Sequence, residues 1–280
     1  MSDGPDGLAV VDKASGWTSH DVVAKARGIL GTRKVGHSGT LDPDATGVLL
    51  LGVGKATRLL RYLNDLPKTY IGEVVLGLET STLDASGEPT ARWDMRSVTP
   101  DEVQEELPQF IGEIEQIPPM VSAVQVGGKR LHELAREGIE VEREARPVTV
   151  HRFVAQPTVD PLVYRVEVEC SSGTYIRSLA ADLGHALGGG AHLRNLRRTA
   201  IGPYTVEVAR PLEDLELLPV GAAVAHLEHV VVDDATAALV ATGRKLDLVA
   251  HGHPVAVVSA TDELLAVYRR GKPDLVLASR

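Results

Sequence analysis

The stretch that most limits how this chain folds runs from Tyr164 to Gly190. Tyr164, Val166, Val168 and Cys170 alternate with Arg165, Glu167 and Glu169, the period-two pattern of a strand with one buried face. Shortly after, Ile176, Leu179, Ala180, Leu183 and Leu187 recur at helical spacing, and Gly188-Gly189-Gly190 closes the run. The same change of period occurs elsewhere. Tyr70–Leu76 and Val148–Phe153 read as strands. Ser19 is placed to cap a helix whose apolar side is Val22, Val23, Ala26, Ile29 and Leu30, with Gly31 as its stop. Thr99-Pro100-Asp101-Glu102 reads as a cap, a helix-starting proline and a returning acid, and Val103, Leu107, Phe110 and Ile111 follow at helical spacing. The elements do not repeat as regular βαβ units. That pattern predicts an α+β fold with a mixed, largely antiparallel sheet and flanking helices. A boundary is expected near Pro219–Leu227, and the short runs Pro254–Ser259 and Leu264–Arg269 predict a small β-rich C-terminal module. The expected division is therefore residues 1–220 and 225–280.

Charge is unevenly distributed along the 280 residues, and the formal net charge of −9 hides this. From Ala24 to Arg61 seven basic residues face only Asp42 and Asp44, and from Ala191 to Arg210 four arginines face only Glu207. From Pro211 to Val267 nine acids face only Arg244 and Lys245. Basic segments inside an acidic chain are what an anionic partner on one face requires. One cysteine, Cys170, excludes an intramolecular disulfide and a thiolate zinc cluster, and fits a reducing cytoplasm. The N-terminal residues carry no basic-then-apolar leader, and apolar runs such as Val48–Leu51 are too short to span a bilayer, so no membrane partner is expected.

Common cofactor sites fail on inspection. Gly52-Val53-Gly54-Lys55 resembles a phosphate loop, but Leu49 stands where a Walker loop needs glycine, and Thr57 stands where the dinucleotide fingerprint needs its last one. His251 and His253 lack a third ligand at useful spacing, and no metal is expected. No cofactor is implied.

The segment from Val35 to Leu49 carries the chemistry. Gly36, Gly39 and Gly47 permit tight turns, and Pro43 forces Asp42 toward an extended conformation. A carboxylate held in such a loop beside basic sequence is placed to meet a ligand; an ordinary Asp-Pro turn is the alternative on these residues alone.

Gly36-His37-Ser38-Gly39-Thr40-Leu41-Asp42-Pro43, with Ala45, Gly47 and Leu49, resembles the catalytic loop of bacterial tRNA pseudouridine synthases of the TruB family. Further motifs follow in the family's order: Asp12-Lys13-Ala14-Ser15-Gly16, with Ala14 where the family usually has proline, and Lys68-Thr69-Tyr70. Gln116-Ile117-Pro118-Pro119 to Ser122-Ala123, then Gly128-Lys129-Arg130-Leu131 to Gly138, is similar to its RNA-gripping insertion, about residues 116–147. Cys170–Arg177, and Gly190–Leu193 with Leu196-Arg197-Arg198, complete the set.

The resemblance implies a pseudouridine-synthase core and a PUA-like C-terminal domain. It implies isomerisation of uridine 55 in the T loop of tRNA, through the T-arm stem-loop, on a flipped-out base; a monomer is the default expectation, without cofactor or obligate protein partner. It makes Asp42 the essential carboxylate, with three routes open: attack at C6 of the base, attack at C1′ of the sugar, or removal of a sugar proton to give a glycal. Arg177 pairs with Asp42, Tyr70 stacks on the base and serves as acid or base, and Leu196 walls the pocket. His37 fills the space the base leaves. Lys13, Lys129, Arg130 and Arg136 are expected on phosphates. Two other readings compete. A non-catalytic RNA-binding or RNA-folding factor would keep the fold without the chemistry. A hydrolase using Asp42 and Asp44 would act on sugars without RNA.

Overall fold

The alternating segment is a strand at the heart of a nine-stranded sheet, in a computed structural model that describes residues 4–122, 124–246 and 252–277. In chain order the first half of the elements is β1 (Gly7–Lys13), α1 (Ser19–Leu30), β2 (Val35–Ser38), β3 (Thr46–Val53), α2 (Leu60–Asn64), β4 (Lys68–Leu76), β5 (Leu78–Thr80), β6 (Pro89–Arg92), α3 (Pro100–Glu106) and β7 (Gly112–Gln116). There follow β8 (Gln125–Val126), β9 (Lys129–Arg130), α4 (Leu131–Arg136), β10 (Arg146–Pro157), β11 (Val163–Cys170), α5 (Ile176–Ala186), β12 (Ala191–Ile201) and β13 (Tyr204–Thr205). The C-terminal elements are β14 (Glu228–Val232), α6 (Asp234–Ala241), β15 (Val255–Ser259), β16 (Leu264–Arg269) and β17 (Lys272–Val276).

The main sheet runs β1-β3-β12-β4-β11-β10-β7, with β2 on β3 and β13 on β12. Every pairing is antiparallel except β12 with β3. Tyr164, Val166, Val168 and Cys170 are all buried, as period two requires of one strand face. Against that face lies α5, burying Ile176, Leu179, Ala180 and Leu183. Each large aliphatic so buried contributes roughly 1.5–3 kcal/mol. This packing fixes the start of α5, and with it Arg177, at the sheet.

The helix ends follow local chemistry. At α3, Thr99 Oγ1 accepts from the Glu102 amide while the Glu102 carboxylate accepts from the Thr99 amide, the reciprocal cap expected. At α1 the cap is Thr18, not Ser19: Thr18 Oγ1 accepts from Asp21 N at 3.0 Å and Asp21 returns to Thr18 N at 2.9 Å. Only Thr18 has an acid three residues on, which is why it takes the cap. Ser19 is buried and used elsewhere. Gly31 ends the helix in the left-handed conformation. Ile29 and Ile111, expected on apolar stripes, are exposed; Ile111 lies in extended backbone past the turn that continues α3.

The four-stranded sheet β14-β15-β16-β17 forms the expected C-terminal β unit, with β14 parallel to β15. One side of it packs on Val240 of α6. The other side joins Leu8 and Val10 of β1 and Leu63 of α2 through Ala256, Val258 and Val267. Among the described residues no helix is long and apolar enough to cross a membrane.

Candidate active site

The turn between β2 and β3 carries Asp42, and each of its neighbours is tied down. Leu41 N donates to Ser19 Oγ at 2.9 Å, and Ser19 Oγ reaches Leu41 O at 3.3 Å. The Pro43 carbonyl accepts from Gly16 N at 3.0 Å and from Lys13 Nζ at 2.9 Å. Gly39 O accepts from Arg198 Nη2 at 3.0 Å. At Gly47, φ is +101°, and a Cβ would sit 2.1 Å from the Arg198 carbonyl. Only glycine lets β3 cross β12 this closely.

Arg177 reaches this turn from 135 residues away in sequence. Its Nε lies 3.0 Å from Asp42 Oδ2, and the guanidinium side chain is only 4% exposed. It also sits 3.6 Å from Asp84 Oδ2. Its Nη1 donates to Thr82 O and its Nη2 to Val121 O, both at 2.8 Å, and Nη2 also reaches Asp42 Oδ1 at 3.4 Å. One guanidinium thus joins the Asp42 turn, the loop between β5 and β6, and the base of the excursion between β7 and β10. Those two strands pair Gln116 with Arg146, so the excursion leaves and returns at one place. Gln116 clamps the start of α5 as well: its Oε1 accepts from Tyr175 N at 2.7 Å and its Nε2 donates to Tyr175 O at 3.1 Å.

Asp42, Tyr70, Arg177, Leu196, Arg198 and Lys68 line one cleft of about 250 Å³. Tyr70 lies on β4, opposite Val168 and Arg198 on the neighbouring strands, and its ring is part of the main core. The Asp42 side chain is 40% exposed, facing into this cleft. Enclosure by the cleft walls raises its pKa above the ordinary carboxylate value; the Arg177 guanidinium and the Lys13 ammonium oppose that, and the Asp84 carboxylate adds to it. Burial also raises the Tyr70 phenol, with Arg198 opposing.

His37 on β2 meets His20 edge to face, the ring centroids 5.3 Å apart. Burial, with His20 and Arg198 nearby, pushes its pKa down to about 4, so the ring is neutral at neutral pH. Its Nδ1 is buried without a hydrogen-bond partner. Lys129, Arg130 and Arg136 lie on the excursion, all exposed. Lys129 faces Glu137 at 3.4 Å, and at the start of α4 the Glu133 carboxylate accepts from the Arg130 backbone amide at 3.1 Å.

Lys13 departs from expectation. It is 1% exposed and donates to Ala14 O, Trp17 O and Pro43 O at 3.0, 2.6 and 2.9 Å. All three ammonium protons are spent on carbonyls, so this lysine braces the Asp42 turn instead of meeting a phosphate. Asp84 was not singled out by sequence reasoning. Its Oδ1 accepts from Thr82 Oγ1, Ser86 N and Ser86 Oγ, which leaves Oδ2 turned to Arg177. In sequence it is one acid in a polar turn, with no signal to set it apart. Ala123 and His251 lie outside the described residues; His253 pairs with Glu228 at 3.0 Å.

Comparison with known proteins gives the same direction. Residues 27–176 match the TruB family pseudouridylate synthase N-terminal domain, and residues 177–233 match the tRNA pseudouridylate synthase B C-terminal domain. The chain belongs to the TruB family. A tRNA pseudouridine synthase B of Streptomyces griseus is 46% identical over 282 residues, covering 96% of this chain and 94% of the relative. One from Rhodococcus jostii is 55% identical over 213 residues, covering 75% of this chain and 70% of that one. Among solved structures, a chain of a Cbf5-Nop10-Gar1 complex superposes with a TM-score of 0.73 at 28% identity, covering 98% of this chain and 84% of that chain. As a TruB-family chain, this protein is a pseudouridine synthase with a mixed α/β core.

Proposed function

We propose that this chain converts uridine 55 in the T loop of tRNA to pseudouridine, with Asp42 as the essential carboxylate. The observation that carries the reading is the Asp42–Arg177 pair at 3.0 Å, held in a cleft that also contains Tyr70 and Leu196. The reaction breaks the bond between C1′ and N1 of uracil, joins C1′ to C5, and moves the C5 proton to nitrogen. No group is gained or lost. The target base is extruded into the cleft, where Tyr70 stacks on it and serves as acid or base in the transfer of the C5 proton, while Leu196 forms an apolar wall. His37, a neutral planar ring, fills the gap in the RNA stack. Residues 1–220 perform the chemistry, Lys129, Arg130 and Arg136 on the 116–147 excursion grip phosphates, and residues 225–280 form a PUA-like module. The chain acts as a monomer, alone.

The test is carbodiimide-based primer-extension mapping of an unmodified tRNA transcript incubated with the pure protein. A single new stop, reporting position 55, is expected. Modification confined to another position would overturn the T-loop assignment, and no modification would overturn the activity.

All three routes open to Asp42 need it ionised. The raised pKa therefore sets an expected acid limb: single-turnover rates fall as pH drops through a value above the ordinary Asp range. Asp84→Asn removes a like charge and is expected to shift that limb to lower pH. For stability the sign is opposite. A carboxyl whose folded pKa is raised contributes its stabilisation below the unfolded pKa and loses it as pH rises through the folded one.

A further inference from the structure

Arg198 has no role in the reading above, yet it is among the most deeply buried side chains of the molecule, 1% exposed and lining the Asp42 cleft. A buried guanidinium is costly unless its donors are used. Here Nε donates to Val48 O at 2.7 Å and Nη2 to Gly39 O at 3.0 Å. Both acceptors belong to the arms of the turn that presents Asp42. The same guanidinium lies over the Tyr70 ring, 6.0 Å from its centroid. The backbone enforces this position: Arg198 stands opposite Tyr70 across the β12–β4 pairing and opposite Gly47 across β12–β3, with a register shift just beyond it. A Cβ at Gly39 would lie 3.4 Å from Nη1, so the guanidinium packs in contact with the turn from beneath.

We propose that Arg198 is a positioning residue of the isomerisation, holding the Asp42 turn and the Tyr70 ring as one unit and placing a fixed positive charge beside the phenol. This rests on the assignment of Asp42 and Tyr70 made above. Two carbonyl anchors fix the charge in place, and a planar fork is the group that can reach both while facing a ring; an ammonium cannot reproduce it. The groups facing the phenol are Arg198 on β12, Cys170 on β11 and Asp42 on the turn, with Lys68 two residues away on its own strand. Cys170 and Asp42 disfavour a phenolate, and Arg198 favours it. Removing Arg198 should therefore move proton uptake by Tyr70 to higher pH.

The experiment is a double-mutant cycle on single-turnover pseudouridine formation, using Arg198→Gln and Tyr70→Phe in the full chain, with tRNA affinity measured alongside. Arg198→Gln is expected to slow the reaction by on the order of 10²-fold, as misplacement of reacting groups does. The alkaline limb of its pH–rate profile, set by the phenol and distinct from the acid limb of Asp42, moves to higher pH, and tRNA binding is unchanged. In the Tyr70→Phe background the same substitution adds little. Equal losses in both backgrounds, or an unmoved alkaline limb, would overturn the proposal. Should Arg198→Gln not fold, Arg198→Lys serves in the same cycle. It keeps the charge and loses the fork, so a slower reaction with the wild-type pH limb is expected; the wild-type rate would overturn the proposal. A wild-type chain that forms no pseudouridine, or an Asp42→Asn chain that forms it at full rate, defeats the underlying assignment. Additive losses in a working enzyme defeat the role of Arg198 alone.

Discussion

Asp42→Asn is expected to abolish pseudouridine formation while leaving tRNA bound. The loss should reach at least the ~10⁴-fold that removal of an acid, base or nucleophile costs at the upper end. Asparagine has the same shape and can still accept from Arg177, so the turn keeps its ties through Ser19, Lys13 and Arg198. What disappears is the negative charge. A carboxylate can attack carbon or take a sugar proton, and a neutral amide does neither. The substitution also relieves enclosure of a charge beside Asp84, so the folded chain should be no less stable at neutral pH. Rate and affinity therefore separate. Quench experiments with excess enzyme read the first, and filter binding of labelled tRNA reads the second. Isomerisation by the variant at near wild-type rate would remove Asp42 from the mechanism. Parallel loss of binding would show that the charge holds RNA rather than reacting with it.

The parts of this molecule legible in its sequence are those decided by neighbours in the chain. The Tyr164–Cys170 alternation needs only period two, and the Thr99–Glu102 cap needs only four residues. The same local logic failed at Ser19 because two hydroxyls compete for one cap. The acid partner of Thr18 decides that competition, and Ser19 is then committed to Leu41, 22 residues on. The site is less legible. On chemistry alone Asp42 is an aspartate in an Asp-Pro turn, and it was the succession of motifs along the chain that set it apart. Sequence places Lys13 with the phosphate-binding cations, yet its ammonium is buried. Its three carbonyl acceptors come from the segment after β1 and from Pro43, an arrangement that exists only once the turn has closed over it. Asp84 is the clearest omission. Its value to the site is a single oxygen aimed at Arg177 by three local donors, and no spacing announces such an aim.

Arg177→Met should be the most damaging single substitution outside Asp42, because it acts on stability and on rate together. The guanidinium donates to two backbone carbonyls, Thr82 O and Val121 O, and lies within 4 Å of two carboxylates. Methionine fills much of the volume and satisfies none of these groups. Each of these half-buried carbonyls stripped of its donor costs up to about 1–3 kcal/mol, the range for a buried group. The carboxylates add less than a fully buried pair would, because Asp42 and Asp84 are 40% and 22% exposed and water takes up part of their charge. A total of roughly 2–5 kcal/mol is expected, seen as a lower denaturant midpoint. On the rate, Asp42 and Asp84 are left facing each other without the intervening cation. The Asp42 pKa then rises further, and the acid limb of the rate profile moves toward neutral pH. Arg177→Lys separates the two effects. It restores a positive charge and moves the limb back, but one ammonium cannot span Thr82, Val121 and Asp42 at once, so the stability loss largely remains. If Arg177→Met lowers the rate with no change in the acid limb, the arginine does not set the charge state of Asp42, and its contribution is confined to holding the three segments together.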